Sequence, residues 1–148
     1  MNTDLMFSSK TDDWATPQET FDELNQEFNF TLDPCADEYN HKCSKYYTKE
    51  QNGLIQDWGG EIVFCNPPYG REVKKWVEKC YREVNFGNCI CAVMLIFART
   101  DTKWFHDYIY KKAEIRFIKG RLKFGCSTNS APAPSMVVIF RKFKEASQ

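Results

Sequence analysis

Apolar positions recur along this chain in two rhythms that take turns. Phe21, Leu24 and Phe28 stand three and four apart, which predicts a helix over residues 17–28 with one inward face. Thr16-Pro17-Gln18-Glu19 marks its start, with Thr16 as N-cap, Pro17 at the first helical position and Glu19 closing a capping box. Phe30-Thr31-Leu32 then reads as a short strand that stops at Asp33-Pro34, because a residue before proline is pushed into an extended or turn conformation. Residues 37–60 are polar, with Tyr46-Tyr47-Thr48 as a brief strand and turn signals at Asn52-Gly53 and Gly59-Gly60. A strand follows over residues 61–65. Residues 71–84 form an amphipathic helix that packs through Val73, Trp76, Val77, Cys80 and Val84. The run 89–97 is almost unbroken apolar, the mark of a central strand covered on both faces. Another helix is predicted over 102–112, then a strand over 114–118, a turn at 120–125, a loop at 126–134 and a last strand over 136–140.

Strand and helix alternate and then two strands close together, so the order predicts an α/β sheet with an antiparallel edge. The 148 residues suit one domain, 1–148, with 1–13 and 143–148 loose at its ends. A hydrophobic fraction of 43% supports a real core. The longest apolar stretch is far shorter than the ~20 residues that span a bilayer, and no basic region with an apolar block opens the chain. No membrane contact and a cytoplasmic location are therefore expected. Seven cysteines, several at strand positions, read as reduced core residues. Cys35, His41 and Cys43 lack a matching second pair, so no metal is expected. Trp58, Trp76 and Trp104 are expected in the core.

The net charge is zero, but its distribution is polarised. Residues 1–40 hold ten acids and one base, whereas residues 41–148 hold ten acids and nineteen bases. The densest basic stretch is 111–123. Such a split can present a phosphate-attracting face on a neutral protein. Arg99, after the central strand, and Lys119, Arg121 and Lys123 around the following turn are the expected phosphate contacts.

The most informative residues are Asn66-Pro67-Pro68-Tyr69, which follow the apolar run Ile62-Val63-Phe64-Cys65. The Asn66 side-chain oxygen and the Pro67 carbonyl are acceptors, and prolines hold the corner stiff without adding N–H donors. Two acceptors on the hydrogens of an aromatic amino group help localise its lone pair and stabilise the charge that grows on nitrogen during attack. Tyr69 offers a flat surface for a planar ring. In an open α/β sheet, ligands bind beyond the carboxyl ends of the strands, and both Asp33-Pro34 and Asn66-Pro67 stand at such ends. One crevice can hold a cofactor at the first corner and an amino substrate at the second.

Here the chain resembles the small phage-type DNA N-6-adenine-methyltransferase (Dam) family. Asn66-Pro67-Pro68-Tyr69 is similar to the family's catalytic motif, Leu32-Asp33-Pro34-Cys35-Ala36 to a short form of its cofactor loop, and Trp14-Ala15-Thr16-Pro17 to its upstream Thr-Pro element. Gly120-Arg121-Leu122-Lys123-Phe124 and Pro134-Ser135-Met136-Val137-Val138 resemble its closing hairpin. The resemblance implies a compact Rossmann-like methyltransferase sheet, mostly parallel with an antiparallel C-terminal edge and shortened between the first strand and the Asn-Pro-Pro-Tyr strand. It implies S-adenosylmethionine as cofactor, DNA as partner and a bacterial or phage-infected cell as setting. Asn66 and Pro67 would accept from adenine N6, Pro68 would stiffen the corner, and Tyr69 would stack on the flipped base. Asp33, Pro34, Cys35 and Ala36 would floor the cofactor site, with Trp14, Thr16 and Pro17 closing it and Asn66 reaching it. The carboxylate for the cofactor ribose is open among Asp37, Glu38, Glu50 and Asp57, with Asp57 preferred. Ala36 and Asp37 stand where glycines are usual. The abbreviated region keeps other readings open: an RNA or protein-glutamine acceptor, a homodimer that completes the site, or a non-catalytic nucleic-acid-binding module.

Overall fold

A computed structural model describes residues 15–125 and 131–142. Helix α1 spans Gln18–Phe28 and α2 spans Val73–Asn85. The strands are β1 Asp33–Ala36, β2 Tyr46–Thr48, β3 Ile62–Cys65, β4 Cys91–Phe97, β5 Glu114–Phe117 and β6 Ser135–Arg141. A 3-10 turn covers Gly53–Ile55, and a π-helical turn covers Phe105–Ile109.

The protein is a mixed α/β structure with two sheets. β3, β4, β6 and β5 lie side by side in that order, and β1 pairs with β2 in parallel. β3 and β4 are parallel, while β6 is antiparallel to both β4 and β5. The chain just before β1 leans on the larger sheet through a parallel bridge between Leu32 and Val63, and the Phe64 N–H donates to the Leu32 carbonyl at 3.0 Å. The carboxyl ends of β1, β3, β4 and β5 therefore point the same way.

The sheet separates two apolar layers. Val63, Cys65, Ala92, Met94, Ile96, Met136, Val138 and Phe140 meet α2 and the π-helical turn on one face. The alternate residues Phe64, Val93, Leu95, Phe97, Val137 and Ile139 meet α1 on the other. Period-two alternation in the strands thus feeds two helix faces, and β4, flanked on both edges and covered on both sides, is buried throughout.

Four expectations change. The strand expected over Phe30-Thr31-Leu32 and ending at Asp33-Pro34 begins later: β1 is Asp33–Ala36, and Leu32 forms only an isolated bridge to Val63, so Asp33 opens the strand instead of standing at its carboxyl end. The predicted antiparallel edge is interior: β6 inserts between β4 and β5, so the outer strand is β5, which runs with β4. Its half-buried residues suit an edge, whereas six of the seven in β6 are buried. The helix predicted over 102–112 opens into the π-helical turn, closed by the Tyr110 N–H on the Phe105 carbonyl at 2.8 Å. Thr16 is not the cap of α1. Pro17 occupies that position, and its carbonyl receives the N–H groups of Thr20 and Phe21. At the other end Asn29 takes the left-handed conformation, φ 57°, and ends the helix as expected. Trp58 and Trp76 are buried and stack at 6.4 Å, and Trp104 packs partly buried against the same core. Among the described residues no helix is long and apolar enough to cross a membrane. The loose ends expected at 1–13 and 143–148 lie outside the described residues, as does 126–130 of the loop.

Candidate active site

Asn66 emerges where β3 ends, with Pro67 buried beneath it, Pro68 exposed and Tyr69 half buried. Gly70 follows at φ 99°, a conformation that favours glycine, and turns the chain toward α2. The Tyr69 ring lies on Phe97, the last residue of β4, with centroids 4.3 Å apart and planes within 12°. Phe124 meets both rings edge-on at 6.1 and 6.3 Å. Burial pushes the Tyr69 phenol well above the ordinary tyrosine range.

The neighbouring corner is built around a buried carboxylate. Asp33 is 5% exposed, its Oδ1 accepts from the Cys35 N–H at 3.3 Å, and its Oδ2 accepts from the Lys42 N–H at 2.9 Å. Burial raises its pKa, and the two backbone donors act against that shift. Asp33 thereby ties the 37–45 loop back to the start of β1. Pro34 is buried, and its carbonyl sits so close to Gly53 that an added Cβ there would collide with it. Cys35 and Ala36, the last residues of β1, are half buried and small. The Cys35 and Cys65 sulfurs are 3.6 Å apart, so the β1 corner directly adjoins the residue before Asn66. Burial raises both thiols, which are free, inert packing groups rather than nucleophiles.

The N-terminal segment reaches the same place. The Asn66 Nδ2 donates to the Thr16 hydroxyl at 2.9 Å, and the Gly125 N–H donates to the Ala15 carbonyl at 2.8 Å. Thr16 and Pro17 thus join Asn66, Tyr69 and the Asp33 turn, whereas Trp14 lies outside the described residues.

Asp57 does not join them. It precedes β3, at the opposite edge of the sheet from Asn66, where it accepts from Asn88 Nδ2 at 3.0 Å and the Gly59 N–H at 2.9 Å. Those donors hold its carboxyl below the usual range and keep it as a structural brace. Glu50, by contrast, follows β2 at the carboxyl edge beside β1 and is exposed. His41 stacks on Tyr46 at 3.9 Å, and its Nδ1 bonds the Cys43 carbonyl at 2.8 Å.

Arg99 is exposed at the end of β4, with its guanidinium 5.6 Å from the Phe97 ring. Lys119, Arg121 and Lys123 project as exposed alternate residues beyond β5, while Ile118, Leu122 and Phe124 turn inward. Arg116, in the same basic stretch, is engaged elsewhere: it holds Glu27 at 2.7 and 2.9 Å and Glu114 at 2.8 Å. Two aromatic residues of this edge were missed in the sequence reading. Phe117, 66% exposed, begins the Lys119-Arg121-Lys123 alternation, and Tyr39, 90% exposed, tops a turn whose N–H groups bond Asp37.

An α/β chain with a stiff acceptor corner beside a buried Asp-Pro pair is compatible with a methyltransferase-like fold. The comparisons agree: the model of the family described as DNA N-6-adenine-methyltransferase (Dam) matches residues 4–148. The chain belongs to that family. It is 35% identical over 140 residues to the DNA N-6-adenine-methyltransferase of Haemophilus phage HP1 (strain HP1c1), covering 89% of this chain and 80% of that protein. It is 31% identical over 154 residues to the DNA N-6-adenine-methyltransferase of Escherichia phage T1, covering 89% of this chain and 63% of that one. A shorter match, 42% over 65 residues, covers 39% of this chain and 71% of the putative methyltransferase YfdM of Escherichia coli (strain K12).

Proposed function

We propose that this protein transfers a methyl group from S-adenosylmethionine to the N6 amino group of adenine in DNA, on a compact Rossmann-like sheet. The observation that carries the reading is the adjacency of Asn66, at the end of β3, to β1, Asp33–Ala36, in a chain of the Dam family. The β1 corner fits such a cofactor, because its carboxylate is consumed in holding the 37–45 loop and the residues after Pro34, Cys35 and Ala36, are small. Asp33, Pro34, Cys35 and Ala36 would floor that site, with Pro17 at its rim. Glu50 replaces Asp57 as the carboxylate for the ribose. When bound, S-adenosylmethionine supplies a methyl group on a cationic sulfur.

The remaining work falls to this chain. Asn66 Oδ1 and the Pro67 carbonyl accept from the adenine amino group and offset the positive charge that develops there. Tyr69, backed by the buried Phe97 ring, offers aromatic surface to a base rotated out of the duplex. Neither histidine stands in the corner, in keeping with a reaction whose cationic product amine releases its proton without a strong base. Arg99, Lys119, Arg121 and Lys123 meet phosphates along the same edge.

Incubation with labelled S-adenosylmethionine and mixed-sequence DNA, followed by nucleoside analysis, tests this. N6-methyladenine is expected from the wild type, and a loss of about 100-fold or more from Asn66→Ala. Methylcytosine in the digest, or equal labelling by the variant, would refute the assignment.

A further inference from the structure

We infer that Thr16 is a positioning residue for the Asn66 side chain: it fixes which end of that amide meets the substrate. This extends the proposed reaction and rests on it. The two ends of an asparagine amide have nearly the same shape and opposite chemistry, one a double donor and the other an acceptor. An amide serving as acceptor for an amino group must present its oxygen. Turned over, it sets two donors against two donors. The Asn66 backbone does not choose between these states, because the terminal torsion of asparagine is broad and roughly two-fold.

The choice is made from fifty residues away. Asn66 Nδ2 donates to Thr16 Oγ1 at 2.9 Å, so the nitrogen end faces Thr16 and the oxygen end faces away from it. Thr16 is 4% exposed, so water competes little for this bond. Its hydroxyl has no duty in α1, which is capped at Pro17 without any side-chain bond. Its backbone is held on both sides. Pro17 follows with its carbonyl committed to Thr20 and Phe21, and Ala15 accepts from the Gly125 N–H. A threonine that lost its expected capping role therefore carries a hydroxyl placed firmly against the acceptor corner.

The test compares Thr16→Val, which keeps shape and loses the oxygen, with Thr16→Ser, which keeps it. We expect Val to lower kcat by about 10- to 100-fold with KM for DNA and Kd for S-adenosylhomocysteine within about two-fold, and Ser to stay within about three-fold of wild type. Weaker S-adenosylhomocysteine binding with unchanged kcat would make Thr16 a cofactor contact and overturn the assignment. So would a Val variant equal to wild type, or equal losses in both variants. A second readout needs no turnover: in ¹⁵N-labelled protein the Asn66 side-chain amide protons should exchange slowly, and fast in Thr16→Val. Fast exchange in the wild type would overturn the inference. Failure of the reaction itself would appear separately, as wild-type protein that leaves adenine unmodified.

Discussion

Tyr69 shows how one side chain divides its labour. Its ring is pressed on Phe97 and edged by Phe124, while burial drives its phenol upward in pKa. A phenol held neutral in the fold ionises above the ordinary value of about 10, so kcat should have no alkaline inflection from this group below roughly pH 10. The face of the ring, not the hydroxyl, is the expected working part. Tyr69→Phe should retain methyl transfer within a few-fold, and Tyr69→Ala should lose about 10- to 100-fold, matching the ~1–3 kcal/mol of one stacked base. Steady-state rates of both variants across pH check this, and a Phe variant as impaired as Ala would move the role to the hydroxyl. The residue types of this corner were legible in the sequence. Phe97 and Phe124 were not assigned to it, because ring partners 28 and 55 residues away leave no local spacing signal.

Among the elements, β1 and the 3-10 turn at Gly53–Ile55 depend on each other. The Pro34 carbonyl lies over Gly53, Trp76 closes the same space, and Trp58 Nε1 donates to the Gly53 carbonyl at 3.0 Å. Neither the Pro34 backbone nor the Trp76 ring can withdraw cheaply. Gly53→Ala should therefore destabilise by about 1–3 kcal/mol, the usual range for overpacking. Because the displaced strand contains Asp33 and Pro34, S-adenosylhomocysteine affinity should fall with it. Urea unfolding and calorimetry measure the two effects, and a variant as stable as wild type would mean the turn can shift freely. The sequence marked Asn52-Gly53 only as a turn. That its glycine serves a close backbone approach, beyond turning the chain, depended on which distant strand lies above it.

At the scale of the whole molecule, one sheet edge gathers the site and four exposed cations. Arg99, Lys119, Arg121 and Lys123 are exposed there, whereas Arg116 binds Glu27 and Glu114 and joins α1 to β5. The basic stretch is thus partly a proposed DNA face and partly a structural clasp. Replacing Lys119, Arg121 and Lys123 together by glutamine should reduce the slope of log affinity against log salt by about 2–3, with ~0.9 expected per phosphate lost. DNA titrations at several salt concentrations supply the slope, and an unchanged value would place the duplex on another surface.

The sequence alone determined the amphipathic faces of α1 and α2, the buried β4 and the acceptor corner after β3, because each is written in near neighbours at periods of two or 3.6 residues. It also showed that charge is split along the chain. Only the tertiary structure decided that β6 enters between β4 and β5, that Asp57 braces the far edge while Glu50 follows β2 at the carboxyl edge, and that Thr16 leaves its helix to hold Asn66. Those outcomes turn on competition between partners far apart in the chain. A capping threonine and an asparagine-binding threonine look identical until packing brings the second partner within 2.9 Å.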